Sequence, residues 1–268
     1  MKIPTFVIGL QRLASARADL IAALGRCGIE AQPWEGVDGR LPIELREGES
    51  VSPANRVISL AKYGRPQPPT ILGCYLAHYR LLKHALEQGY ERVLVFEDDA
   101  APLPAFGDVL APLLELDDGH EHINLQPEHW PMPFLSDIAE HAKLTRPLPL
   151  GHQLSRNVDR AHAARSYLIN RAGLAKLVPF LMPQLDEVDL RIDQAIWTGV
   201  LRGYSVWPPL TLHLDNRTIS RGGAGPLKRL QYAAVRKLYR GRFRSYKAEQ
   251  HRQRRELLES CKLEYGAS

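Results

Sequence analysis

The sequence is poor in the residues that build disulfide frameworks and membrane spans. Among its 268 residues are three cysteines, Cys27, Cys74 and Cys261. They are too few and too scattered for a cystine scaffold or a clustered zinc site. No apolar run approaches the ~20 residues needed to span a bilayer. Met1-Lys2-Ile3-Pro4 leads straight into a short strand-like run, without the apolar stretch and cleavage site of a secretory leader. These absences set the expectation of a soluble, cytoplasmic body. With 44% hydrophobic and 24% charged residues, the composition excludes disordered and collagen-like chains. The length suits one large α/β domain, or one domain with an appendage.

Acidic charge is scarce in one region only. From Arg217 onward there are 14 Lys/Arg against 4 Asp/Glu, whereas residues 1 to 216 hold 21 basic and 26 acidic residues. The net charge of +5 therefore belongs to the tail. This balance argues against a basic nucleic-acid-binding body, and no nucleic acid is expected as a partner.

Apolar periodicity outlines the body. Thr5 to Leu10 reads as a buried strand. Residues 14 to 27 follow with helical spacing, and Gly28 stands where a C-cap falls. A short strand fits Glu30 to Trp34, before the turn Val37-Asp38-Gly39. Residues 40 to 70, polar and proline-bearing, read as an irregular or lid-like insertion. The stripe Leu76, Tyr79, Leu82 and Leu86 predicts a helix over 74–88. Strands are predicted at 92–96, 122–126 and 166–169, and a helix at 171–181. Strands alternating with helices predict an α/β fold with a mostly parallel sheet.

Glu97-Asp98-Asp99 stands at the carboxyl end of the apolar strand 92–96. Open α/β sheets bind ligands beyond that end of their strands. Adjacent carboxylates repel unless a cation or proton neutralises them. Oxygen ligands suit Mg²⁺ or Mn²⁺, which can bridge to a substrate phosphate. A solvated acidic turn is the bland alternative.

The blocks around this strand resemble glycosyltransferase family 25, the lipopolysaccharide glycosyltransferases related to collagen galactosyltransferases. Gly73-Cys74-Tyr75-Leu76-Ala77-His78, a helix, and Val93 to Ala100 are similar to the family's Gly-Cys-x-x-Ser-His, helix and Glu-Asp-Asp strand. Ile8 to Arg12 with Arg17, Gly36 to Gly39, Ser166 to Arg171, Val188-Asp189 and Thr218-Ile219 follow in the family's order, so the likeness covers about residues 5 to 220. Gly9 replaces an Asn, Ala77 a Ser, Ile71 an acidic residue and Ser166 a Gly.

The resemblance implies a GT-A fold, Rossmann-like with helices flanking the sheet, over residues 1–222, with a basic helical tail over 223–268. It implies inverting transfer of a sugar, most often galactose from UDP-galactose, to a lipopolysaccharide or other oligosaccharide acceptor. Donor contacts would come from Ile8, Leu10, Arg12, Arg17, Asp38, Glu97, Asp98 and Gln126. Mn²⁺ or Mg²⁺ would be held by Asp99, Glu97 and a late His213. The catalytic base lies among Glu187, Asp189 and Asp193, with Asp189 matching the family's pair best; helix N-terminal acids of no catalytic role fit the same stretch. His78 is compatible with both a packing and a catalytic histidine. Two other readings share the blocks. One is a catalytically inactive glycosyltransferase-like adaptor. The other is a signalling receiver domain, which would need a phosphoacceptor strand near Asp137.

The tail from Pro226 to Lys262 alternates apolar residues with arginines. Such a helix suits an anionic membrane surface, placing the protein peripherally at the inner face of the cell membrane. A solvated helix packed on the body fits equally.

Overall fold

The computed structural model describes residues 3–116, 119–127, 145–157, 164–214 and 226–266. Its central strands are apolar on both sides because helices cover both faces of the sheet. In β1 (Thr5–Gly9) and β3 (Arg92–Glu97), successive side chains enter opposite cores. Phe6, Ile8, Val93 and Val95 face one cluster, and Val7, Leu94 and Phe96 face the other.

The remaining strands are β2 (Gln32–Glu35), β4 (Ala100–Pro102), β5 (His122–Asn124), β6 (Thr145–Pro147), β7 (Gln153–Arg156), β8 (Ser166–Asn170), β9 (Gly203–Trp207) and β10 (Thr211–His213). Eight of them form one sheet in the order β2-β1-β3-β8-β5-β9-β7-β6. β8 and β7 pair antiparallel with both of their neighbours, so the other six strands share one direction. The mostly parallel α/β sheet expected from the sequence is present.

Helices α3 (Pro69–Glu87), α5 (Arg171–Leu181) and α6 (Val188–Trp197) cover the first face, through Tyr75, Leu81, Leu82, Leu174, Leu177 and Ile192. Helices α1 (Ala14–Arg26) and α4 (Phe106–Glu115) cover the second, through Leu20, Leu24, Phe106, Leu110 and Leu113.

Two expectations need correction. The segment 40–70 contains a helix, α2 (Pro53–Tyr63). Ser52 caps it by accepting from Ala54 N, Pro53 opens it, and Gly64 ends it at φ 70°. Val57, Ile58 and Ala61 carry its helical spacing, but they stand inside an otherwise polar, proline-bearing segment. Helix α3 begins at Pro69, ahead of the predicted residue 74, because a proline at the first helical position loses no hydrogen bond. The segment containing Asp137 and the positions Thr218 and Ile219 lie outside the described residues.

Helix α7 (Pro226–Gly266) lies against α2 and α6. Gly64 allows this approach, since a Cβ there would fall 2.1 Å from the Tyr232 carbonyl oxygen. Tyr232, Val235, Tyr239 and Leu257 are half-buried at helical spacing, and Leu257 packs on the first core. Arg236, Lys237, Arg240, Arg244 and Arg255 remain exposed. Among the described residues, no helix is long and apolar enough to cross a membrane.

His122 gives the fold a pH dependence. Its ring is buried, stacks on Tyr167 at 5.2 Å, and has no hydrogen-bond partner for either nitrogen among the described residues. Burial pushes its pKa down to about 3. The unfolded chain takes up that proton near pH 6.5, so the stability from a neutral His122 is complete above about 6.5 and is lost as pH falls towards 3. Thermal melts across this window should show a smaller pH slope in His122→Leu than in the parent. An unchanged slope would remove His122 as its source.

Candidate functional site

β1 and β3 are parallel neighbours, with Ile8 opposite Glu97, so their carboxyl ends open on the same edge of the sheet. Gly9 shapes that edge. A Cβ on Gly9 would meet Asp98 Oδ2 at 2.8 Å and Arg17 Cδ at 3.2 Å. The Asp98 carboxylate thus lies in space that a side chain at position 9 would fill.

The next carboxylate is held differently. Strands β4 and β10 form a small antiparallel ribbon in which His213 faces Ala100. This register brings His213 Nε2 to 3.2 Å from Asp99 Oδ2, and Leu214 N donates to the Asp99 carbonyl at 2.8 Å. Asp99 Oδ1 is buried without a hydrogen-bond partner among the described residues. Burial, reinforced by the charge of Glu97, pushes the Asp99 pKa up to about 6, although His213 and Arg165 pull it down.

Glu97 turns toward α3. Its Oε1 lies 2.8 Å from His78 Nε2 and 3.7 Å from Cys74 Sγ. Burial would raise its pKa, but the hydrogen bond and charge of His78 outweigh burial and hold it below the usual range. The other nitrogen of His78, Nδ1, lies 3.0 Å from the Tyr167 hydroxyl. Burial, and then the charges of Glu97 and Asp189, drive the Cys74 thiol well above its usual value. Sequence reasoning left His78 undecided and did not join it to Glu97; the signal was its place one helical turn after Cys74.

The turn carrying Asp38 is seated on the start of α3 by two glycines. A Cβ on Gly39 would lie 2.3 Å from the Pro69 carbonyl, and one on Gly73 2.3 Å from the Val37 carbonyl. Asp38 accepts from Arg40 N at 3.0 Å and pairs with Arg12 Nε at 3.0 Å. Chiefly through the Arg40 hydrogen bond, its pKa is lowered. Leu10 is half-buried, and the Ile8 side chain points into the first core. Gln126 is buried, and its Oε1 accepts from the Thr211 hydroxyl at 3.1 Å.

The three candidate bases differ in setting. Glu187 lies 3.3 Å from Lys62 Nζ, which also holds Asp186 at 2.7 Å. Asp193 is buried. Asp189, in the first turn of α6, is half-buried, accepts from Leu190 N at 2.8 Å and lies close enough for its charge to act on Cys74.

Arg17 has a structural assignment. Its buried guanidinium donates to Gly9 O at 2.8 Å and Trp34 O at 3.1 Å, and contacts Glu35 at 3.1 Å, tying β1 to β2. Arg17→Leu should cost about 2–4 kcal/mol in chemical denaturation, because two carbonyls lose their donor. Arg12→Leu, which breaks a surface pair, should cost at most about 1 kcal/mol. Equal costs would contradict this division of roles.

Comparison with known proteins agrees with these blocks. The sequence pattern of glycosyltransferase family 25 (LPS biosynthesis protein) matches residues 2–195. The "probable inactive glycosyltransferase 25 family member 3" of Rattus norvegicus is 30% identical over 103 residues, covering 35% of this chain and 16% of that protein. The "inactive glycosyltransferase 25 family member 3" of Mus musculus matches with the same identity and coverage. The chain thus spans about a sixth of the length of these relatives. A glycosyltransferase involved in glycosylating the major capsid of PBCV-1 superposes over 89% of this chain and 99% of its own, at 9% identity and a TM-score of 0.39, too loose to define a shared topology. On the match to residues 2–195, which spans most of the sequence, the chain belongs to glycosyltransferase family 25.

Proposed function

We propose that this chain is a GT-A-like inverting glycosyltransferase, moving galactose from UDP-galactose to a hydroxyl of a lipopolysaccharide-type oligosaccharide. The observation that carries this reading is Asp99, a half-buried carboxylate whose buried Oδ1 lacks a hydrogen-bond partner among the described residues, paired with His213 beside Asp98. An oxygen–imidazole set with a buried, unsatisfied carboxylate oxygen fits Mn²⁺ or Mg²⁺. Asp99 and His213 would hold that cation, with Asp98 beside them, whereas Glu97, expected in the same set, is turned to His78 on α3. Bound there, the cation supplies charge neutralisation for a diphosphate leaving group.

The protein's own groups account for the remaining chemistry. Arg12 and Asp38 stand at the adjoining rim, where Arg12 can bind the donor diphosphate. Asp189 is the proposed base. It takes the proton of the acceptor hydroxyl as the new bond to the anomeric carbon forms and the bond to the diphosphate oxygen breaks. Its half-buried position favours it over buried Asp193 and over Glu187, which is held by Lys62. A second reading, a sugar-nucleotide-binding protein without transfer activity, is favoured by the names of the inactive relatives.

Nucleotide release from UDP-, GDP- and CMP-sugars, with Mn²⁺ and with EDTA, separates the two. The transferase reading expects UDP release from UDP-galactose that EDTA abolishes and that Asp99→Asn lowers by about 100-fold or more. Full activity in Asp99→Asn would overturn the assignment. Donor binding without turnover of any donor would establish the second reading.

With Tyr232, Val235, Tyr239 and Leu257 of α7 half-buried and Leu238 exposed among the basic residues, membrane attachment would run through the exposed arginines and lysines. Binding to vesicles containing phosphatidylglycerol should then weaken steeply with salt and disappear when residues 226–268 are deleted. Unchanged binding by the truncated protein would exclude α7 as the anchor.

A further inference from the structure

The acidic strand end carries a second group of potential ligands that the donor site does not use. Cys74 and His78 stand one turn apart on α3, and Glu97 reaches them from β3. One atom from each, Cys74 Sγ, His78 Nε2 and Glu97 Oε1, lies within 4.8 Å of the other two. The geometry points to a binding site for a thiophilic divalent cation of the zinc class at Cys74, His78 and Glu97.

Spacing supports it. Tetrahedral zinc with Zn–S of about 2.3 Å and Zn–N and Zn–O of about 2.1 Å sets S···O near 3.6 Å and N···O near 3.4 Å. The observed Cys74 Sγ to Glu97 Oε1 distance is 3.7 Å. His78 Nε2 to Glu97 Oε1 is 2.8 Å, so this edge must open by roughly half an ångström, and Cys74 Sγ to His78 Nε2 lies within 4.8 Å. A hydrogen bond between imidazole and carboxylate leaves such a short edge, and a cation replacing the shared proton lengthens it.

The surroundings also suit a cation. His78 is fully buried, and its Nδ1 faces the Tyr167 hydroxyl at 3.0 Å, as a metal-bound histidine needs a partner on its far nitrogen. The ring stacks on Tyr167 at 5.8 Å, which fixes its plane. Cys74 and Glu97 are both partly open to solvent, leaving an entry path and a fourth position for water. Binding releases the Cys74 thiol proton to solvent and moves the remaining imidazole proton to Nδ1, where it is donated to Tyr167. Thiolate plus carboxylate then balance the two positive charges. A thiolate and an imidazole select zinc over the Mg²⁺ or Mn²⁺ favoured by oxygen ligands, so the site is chemically distinct from Asp99 and His213.

Cobalt(II) titration of the full-length protein tests the assignment, since a Co–thiolate bond gives a near-ultraviolet charge-transfer absorption. One equivalent of cobalt should produce that band, and zinc should bleach it by displacement. The band should vanish in Cys74→Ser, persist in Cys27→Ser, and require at least tenfold more cobalt in His78→Gln. In the unmodified protein, zinc should also protect Cys74 from alkylation, read by peptide mass, which keeps the test decisive if a variant misfolds. No thiolate band, an unchanged band in Cys74→Ser, or equal alkylation of Cys74 with and without zinc would each overturn the proposal.

Discussion

Everything at this site follows from three carboxylates standing in succession where a buried strand ends. Glu97, Asp98 and Asp99 cannot all carry unopposed charge in a half-buried crevice. The fold gives each a separate environment. Glu97 is drawn to an imidazole on α3, Asp98 slides into the space over Gly9, and Asp99 meets a histidine delivered by the β4–β10 ribbon. Their pKa shifts record the division. Glu97 is held below its usual range by His78, while Asp99 is raised to about 6 by burial and by Glu97 itself.

The neighbouring elements place these partners. α3 begins at Pro69 and packs against the 36–39 turn through Gly39 and Gly73. That contact sets the height of Cys74 and His78 against β3, and puts Asp38 and Arg12 on the same rim. Arg17 closes the other side by joining the ends of β1 and β2. Long-range pairs of this kind explain why glycines and a buried arginine, rather than more acids, define the shape of the crevice.

Much of this was legible from residue order. The apolar run 92–96 announced a strand, and the acids after it announced a ligand edge, because side-chain alternation and strand-end chemistry are local. The helices α1 and α5 were equally local. What stayed hidden depended on tertiary contact. His213 could be named only as a late candidate, since its approach to Asp99 is set by the pairing of β10 with β4. Arg17 read as a phosphate ligand because its carbonyl partners lie across a strand pair. The half-burial of Tyr232, Val235 and Tyr239 on α7 was equally hidden, because the surface they meet, around Gly64, belongs to α2 and its C-terminal end.

The central claim is that Asp99 and Glu97 serve different partners although they stand two residues apart. Manganese binding followed by electron paramagnetic resonance, in the presence of UDP, tests this directly. The account predicts one bound Mn²⁺ in the unmodified protein, retained in Cys74→Ser and lost in Asp99→Asn. Equal manganese binding by Asp99→Asn and the unmodified protein would contradict it.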